Sequence, residues 1–202
     1  MKKIFTIVGQ QKLEERFFGD SDGVLYPECK KKVKSSLLPT LLRNIEKKET
    51  FKILALDSFK TEYSDTNYKL LEEELNDNFP GQFEIERLYA PVKGSGKDQV
   101  AIFKAIYQKF EEDDEIYFDI TFGMKPTPMA VLVACNFAKK FVKGVRIRKL
   151  IYTLYDFTKD ENYVHKIIDV TSLFYLDQLI DTMSSMESSN PTAFIESVFQ
   201  SE

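Results

Sequence analysis

A lysine and two threonines stand on one short segment whose surroundings would suit an anion. The segment reads Asp119-Ile-Thr-Phe-Gly-Met-Lys-Pro-Thr-Pro128. The apolar run over 115–120 predicts a buried strand, and Pro128 suits the start of a helix, where a missing N–H has no effect. Helix amino ends bind anions through backbone N–H groups, and the Thr121 hydroxyl and Lys125 ammonium would add two donors. The spacing therefore predicts an anion site, with a solvated loop lysine as the alternative.

The local chemistry of the segment leads to three further predictions. Thr127 is expected to cap the helix, and Lys125 is expected to be extended because it precedes a proline. Asp119 is expected to accept hydrogen bonds from loop amides, since no second acidic ligand is evident on a neighbouring strand end. We predict no bound metal and no cofactor.

Two other loops are expected at the same edge of the sheet. The basic glycine loop Lys93-Gly94-Ser95-Gly-Lys97 is not a phosphate-binding P-loop, because that pattern would require glycine at Pro91 and Ser or Thr at Asp98. Gly9-Gln10-Gln11 follows the first strand, and glutamine amides both donate and accept, which suits a base or a ribose. Each of these loops is equally well explained as a solvated turn.

The pattern along the chain predicts an α/β fold, a doubly wound, mostly parallel, six-stranded Rossmann-like sheet. Residues 10–26 are expected to form a long loop. Residues 1–170 would form the ligand-binding domain, and 171–202 a short helical C-terminal extension. The expected strands are 4–8, 51–56, 83–90, 115–120, 145–155 and 164–169, and the main helices are 28–48, 67–79, 98–110 and 128–142.

Composition limits the function further. The chain has 202 residues, of which 43% are hydrophobic, and a formal net charge of −4. That charge argues against binding along duplex DNA but leaves a small anionic ligand open. The longest apolar run, Met129 to Phe137, is well below the ~18 residues that would cross a membrane. We expect a cytoplasmic protein without a membrane partner, with Cys29 and Cys135 reduced.

The segment from Asp119 to Pro128 resembles the Asp-Ile-Thr-His-Gly-Phe-Arg-Ser-Leu-Pro signature of CRISPR-associated Rossmann-fold (CARF) proteins. Leu88-Tyr-Ala-Pro-Val-Lys-Gly94 and Ile168-Asp-Val-Thr171 resemble two further family segments. The sequence departs from the signature at Phe122, where the family has histidine, and at Met124, where it has phenylalanine.

The resemblance implies a homodimer that binds cyclic oligoadenylate, expected as the tetra-adenylate ring, as a sensor in type III CRISPR defence. The ligand-binding residues would be Gly9, Gln10, Gln11, Lys93, Gly94, Ser95, Lys97, Thr121, Phe122, Gly123, Met124, Lys125 and Thr127.

Two alternatives stay open at the level of sequence. The first is a metal-independent ring nuclease, in which Lys125 and Thr121 would stabilise the charge that develops on the phosphate. The second is an unrelated Rossmann-like protein that binds a mononucleotide. The Arg-x₄₋₆-His motif of the HEPN ribonucleases is absent, since the only histidine, His165, has no arginine at the matching positions. A lone histidine of this kind is more often a core residue than a catalyst.

Overall fold

One mostly parallel sheet organises the part of the chain that the computed structural model describes, which is residues 1–58, 61–90, 95–156, 158–185 and 190–199. Its strands are β1 (Lys2–Ile7), β2 (Phe17–Gly19), β3 (Phe51–Asp57), β4 (Phe83–Tyr89), β5 (Glu115–Asp119), β6 (Arg146–Leu154) and β7 (Val164–Asp169). The helices are α1 (Leu37–Asn44), α2 (Ser64–Asn78), α3 (Gly96–Tyr107), α4 (Pro126–Phe141), α5 (Thr171–Ser185) and α6 (Pro191–Phe199).

The strand order of the sheet is β2-β7-β6-β5-β1-β3-β4. The central strand β1 pairs in parallel with β3 and β5, and the parallel register continues to β4 and β6. Strand β7 runs antiparallel to β6, and β2 runs parallel to β7. Parallel neighbours require crossover connections, which the helices supply. The predicted α/β class and the mostly parallel Rossmann-like sheet are confirmed.

The prediction of six strands was one short, because the described residues form seven. The additional strand is β2, which lies inside the segment 10–26 that the sequence predicts as a loop. Three residues are too few to show a strand's alternation in sequence, so β2 is defined by its pairing with β7.

Helix α1 is much shorter than the predicted helix over 28–48. It begins at Leu37, so Pro39 falls in its first turn, where a helix needs no N–H from the proline. The preceding segment is held instead by an antiparallel bridge between Arg16 and Val33. A helix through the whole predicted range would have placed Pro39 in its interior.

The side chains of successive β1 residues pack on opposite faces of the sheet. Ile4 belongs to a buried cluster with Leu38 of α1 and Leu75 of α2. Phe5 instead stacks on Phe118 with ring centroids 4.5 Å apart and meets Phe110 edge-on at 5.5 Å. Both faces of β1 are therefore covered, as expected for a central parallel strand.

The chain divides into two compact units, Met1–Val170 and Thr171–Glu202. The first contains the whole sheet with α1 to α4, and the second contains α5 and α6. Among the helices that the structure describes, none combines the length and the apolar character needed to cross a membrane.

Candidate functional site

The loop after β5 is fixed at its start by a buried carboxylate. Asp119 is 3% exposed, and its Oδ1 accepts hydrogen bonds from the Thr121 backbone N–H at 2.9 Å and from the Thr121 hydroxyl. Its Oδ2 accepts from the Ser36 hydroxyl of the segment before α1, at 3.2 Å. Burial raises the pKa of Asp119, while the bonds from Thr121 and Ser36 favour the ionised form. The predicted bond from Asp119 to a loop amide is confirmed.

The Thr121 hydroxyl is already engaged on both sides. It donates its proton to Asp119 and accepts the backbone N–H of Thr153 on β6 at 3.0 Å. Thr121 therefore ties the end of β5 to the neighbouring strand β6, and a ligand would compete with Asp119 for its proton.

Gly123 makes the sharp turn of the loop. Its φ is +103°, and an added Cβ would lie 3.2 Å from the Ile7 Cδ1 atom, so glycine alone fits without strain. The backbone N–H groups of Phe122, Gly123 and Met124 have no hydrogen-bond partner among the described residues. Three successive unpaired N–H groups on a tight turn are a suitable cradle for an anion.

Helix α4 begins at Pro126, two residues earlier than predicted. Lys125 is helical (φ −45°, ψ −38°), so the expected extended conformation is wrong. Thr127 is not the cap either, because its N–H bonds to the Met124 carbonyl at 2.8 Å and its buried hydroxyl has no partner in the described chain. Two prolines and this bond leave the first turn of α4 few free N–H groups, so anion donors must come from the loop.

A cavity of about 270 Å³ opens beside this loop at the carboxyl ends of β1, β5 and β6. Its walls include five of the predicted site residues together with three that the sequence did not indicate. They are Gln10, Gln11, Thr121, Phe122 and Gly123, and then Tyr152, Thr153 and Tyr155.

Two residues that line this cavity each have a polar atom without a partner. The Gln10 Nε2 and the Thr153 Oγ1 are buried, and neither has a hydrogen-bond partner among the described residues. Thr153 is only 1% exposed. Buried polar groups are normally paired, so two such groups around one cavity indicate a ligand or ordered water there.

The loop over residues 9–11 is fastened to α2 by a single side chain. The Asn67 Nδ2 donates to the Gly9 carbonyl at 2.8 Å and to the Gln11 carbonyl at 2.7 Å. The Thr61 hydroxyl donates to the Gln10 carbonyl at 3.2 Å. These bonds hold the backbone of the two glutamines, so the Gln10 and Gln11 side chains start from fixed positions.

Aromatic rings form one side of the cavity. Phe122 lies against Tyr155 with ring centroids 5.5 Å apart, and Tyr155 contacts His165 at 5.1 Å and Phe18 at 5.7 Å. His165 is 2% exposed, its Nδ1 accepts the Asp156 N–H at 3.2 Å, and burial lowers its pKa. The prediction that His165 is a core residue is confirmed, and its contact supports the ring of Tyr155.

The other predicted site residues do not line this cavity. Lys93 and Gly94 lie outside the described residues. Ser95 caps α3 in a reciprocal pair with Asp98, and Lys97 is exposed. Met124 and Lys125 are exposed on the loop beside the cavity, and Gly9 is buried beneath it.

Sequence analysis missed Asn67 and the end of β6. Asn67 had a detectable signal, since it continues the apolar stripe of Leu71 and Leu75 on α2 and is therefore a polar residue expected to be buried. Thr153 and Tyr155 carried no such signal, because their role depends on β6 lying directly beside β5.

No group of three or more potential metal ligands occurs among the His, Cys, Asp and Glu residues that the structure describes. The residues of the cavity and of its loop offer hydrogen bonding, aromatic stacking and binding of an anion by backbone amides.

Comparison with known protein families identifies the family of this domain. The family model for the CARF domain of the CRISPR system endoribonuclease Csx1 matches residues 12–156, well over half of the chain. The chain belongs to the CARF domain family. The matched span includes the loop after β5 and the end of β6, while Gly9 and Gln10 precede it. A comparison with curated proteins found no match. As a CARF domain, it is a sensor domain of type III CRISPR defence.

Proposed function

We propose that this CARF domain binds a cyclic oligoadenylate, the ligand class of CARF domains, in the cavity beside the loop after β5. The observation that carries the proposal is the pair of unpartnered buried groups, Gln10 Nε2 and Thr153 Oγ1, which belong to two residues that line one cavity. Adenine and ribose offer acceptors and donors that would pair with both. The aromatic side of the cavity, Phe122 and Tyr155, is suited to an adenine ring, since stacking on aromatic side chains is a common mode of base binding.

The loop supplies donors for the phosphates of the same ligand. The N–H groups of Phe122, Gly123 and Met124 are unpaired in the described chain, and the exposed Lys125 ammonium adjoins them. Local donors of this kind need no basic surface, so the net charge of −4 is compatible with a nucleotide ligand. The tetra-adenylate ring is the form we propose to test first.

A homodimer is the second part of the proposal. At about 270 Å³ the cavity lies below the ~300 Å³ lower limit of typical small-molecule sites, and a ring of four nucleotides needs more room. Helices α3 and α4 present an apolar groove of about 360 Å³ with Val100, Met129 and Val133 each more than half exposed. Because α4 begins at the ligand loop, a twofold contact through this groove would bring two such loops together around one symmetric ring.

We propose binding without cleavage. Of the two side chains that the sequence assigned to cleavage, Thr121 already donates its proton to Asp119, and Lys125 does not line the cavity. Membership of the CARF family also disfavours the unrelated mononucleotide-binding protein as an alternative.

Isothermal titration calorimetry with cyclic tri-, tetra- and hexa-adenylate tests binding directly. We expect saturable binding with one ring per two chains, best with the tetra-adenylate. Absence of heat with every ring would overturn the proposal. Chromatography of the ring after hours with excess protein and EDTA tests cleavage, and a linear product would show that the ring nuclease is correct.

A further inference from the structure

A second hollow adjoins the candidate cavity and has no role in the function proposed above. It has a volume of about 460 Å³ and lies between the segment 12–16 and Tyr63, the residue before α2. It shares Gln11, Phe122 and Tyr155 with the first cavity. The two spaces are therefore neighbours across one wall that is largely aromatic.

The walls of this second hollow carry three aromatic rings. Phe122 and Tyr155 contribute from the shared side, and Tyr63 contributes from the position just before α2. Tyr63 is only partly buried, and its hydroxyl bonds to Glu62, which raises its pKa. The phenol end is thus tied to a neighbouring carboxylate, and the ring remains available as a stacking surface.

The charged groups of the hollow favour an anion. Lys12 and Arg16 are the two cations among its lining residues and Glu14 is the one lining carboxylate, while Glu62 adjoins the wall through Tyr63. Arg16 is paired with Glu14, whereas Lys12 forms no ion pair with any described residue. Lys12 thus offers a cation without an ion-pair partner in the described chain, beside rings that could stack with a base. This combination is characteristic of sites for single-stranded nucleotides.

We infer that the second hollow binds another adenine nucleotide of the same oligoadenylate, with its base against Tyr63 and its phosphate toward Lys12. The inference rests on the proposed function, because the ligand must first occupy the cavity beside Gly123. One nucleotide then lies on each side of the wall formed by Phe122 and Tyr155, and this wall separates two consecutive nucleotides of the ligand. The 460 Å³ volume lies within the range of about 300–1,000 Å³ typical of small-molecule sites.

A single introduced tryptophan tests the position of the second base, because the chain contains none. In Tyr63→Trp, a base stacked on residue 63 is expected to quench the emission on titration with cyclic tetra-adenylate. The matched control is Phe141→Trp. Residue 141 is 72% exposed at the far end of α4, roughly 24 Å along the helix from the ligand loop, and its emission should stay constant.

Affinity provides an independent measurement. Tyr63→Ala should weaken binding of the ring about tenfold, while Tyr63→Phe should bind like the native protein because it keeps the ring. Lys12→Ala should weaken binding and reduce its salt dependence, and Lys69→Ala, an exposed lysine of α2 that lines neither space, should do neither.

The two possible failures are distinguishable. If the native protein binds no ring, the proposed function fails and the second site fails with it. If the native protein binds the ring but Tyr63→Trp is not quenched and Tyr63→Ala binds normally, the second site alone is overturned.

Discussion

The side-chain amide of Asn67 lies 2.8 Å from the carbonyl oxygen of Gly9, so a residue of α2 fixes the loop that follows the central strand β1. The same Nδ2 atom also bonds to the Gln11 carbonyl, and Asn67 is 3% exposed. Two backbone carbonyls therefore depend on one buried amide, and the position of Gln10 between them depends on it as well.

Replacing Asn67 by alanine should lower both stability and affinity. Loss of the amide leaves two carbonyls without their donor, which we expect to cost about 1–3 kcal/mol of unfolding free energy. The freed loop should also weaken binding of cyclic tetra-adenylate. The control is Asn76→Ala, which removes one exposed bond from the same helix to the Glu72 carbonyl. Urea denaturation and calorimetry measure the two effects, and equal behaviour of both variants would contradict this role of Asn67.

Gly123→Ala should disturb the ligand loop. A non-glycine residue at φ +103° is strained by about 1–3 kcal/mol, and the new methyl group would press on Ile7. Gly81→Ala is a useful comparison, because Gly81 also has a positive φ but an added Cβ meets nothing within 4 Å. Both variants should lose stability in thermal denaturation, whereas calorimetry should show weaker ring binding for Gly123→Ala alone. Normal binding by folded Gly123→Ala would argue against an anion site at this turn.

Thr153→Val separates a binding role from a structural one. The Thr153 hydroxyl has no partner in the described chain, so its replacement by a methyl group should leave stability unchanged or slightly increased. Binding of the ring should weaken by about 0.5–1.5 kcal/mol, the usual net value of one hydrogen bond. Unaltered affinity in calorimetry would mean that the ligand does not use this hydroxyl.

Met129→Asp tests the proposed homodimer. Met129 is 68% exposed on the apolar groove between α3 and α4, and a carboxylate buried at a twofold contact would face its own copy. We expect a dimer for the native protein, a monomer for the variant and weaker ring binding by that monomer. Val24→Asp replaces a residue that is 61% exposed and does not line the groove, and it should remain dimeric. Sedimentation equilibrium measures the masses, and a dimeric Met129→Asp would place the interface elsewhere.

His165 should make stability dependent on pH. Its ordinary pKa is about 6.5, and burial lowers the pKa in the folded state, with the Arg16 charge as the next cause. The unfolded chain therefore takes up the proton first as the pH falls. The free energy of unfolding should decrease below about pH 6.5, by at most about 1.4 kcal/mol per pH unit, and His165 should contribute no slope well above that pH.

The control for this prediction is His165→Asn, whose Oδ1 can still accept the Asp156 N–H. Burial raises the pKa values of Asp119 and Glu74, and their opposite pH dependence is present in both proteins. The difference between the two denaturation series therefore isolates His165. Parallel series between pH 5 and 8 would show that the imidazole is not held neutral.

The sequence was sufficient for the strand β5 and for the acidic end of that strand. The apolar run over 115–120 strongly indicates a buried strand. The carboxylate of Asp119 at its end is expected to accept hydrogen bonds from the following loop. The same reasoning failed at Lys125, which is helical although it precedes a proline. It failed again for Thr127, which is buried at the start of a helix where its hydroxyl caps nothing.

Other features depended on contacts between distant segments. The three residues of β2 form a strand because they pair with Val164 to Lys166 of β7, which lie far later in the chain. The Tyr155 ring meets Phe122 because β5 and β6 are neighbours, which no local pattern states. Local propensity therefore located the ligand loop, and tertiary contacts determined which side chains surround it.

The two edge strands, β2 and β4, make the sheet a poor template for the addition of further strands. At one end β2 has three residues, and its Gly19 is already bridged to Leu25. At the other end β4 carries Glu86, which is paired with Lys52 and Lys109, so an incoming strand would meet a row of charges. Short and charged edges discourage two sheets from joining side by side. These edges therefore disfavour self-association by continuous sheet formation, with its risk of open-ended aggregation, and such edges are compatible with the closed, helix-mediated dimer proposed above.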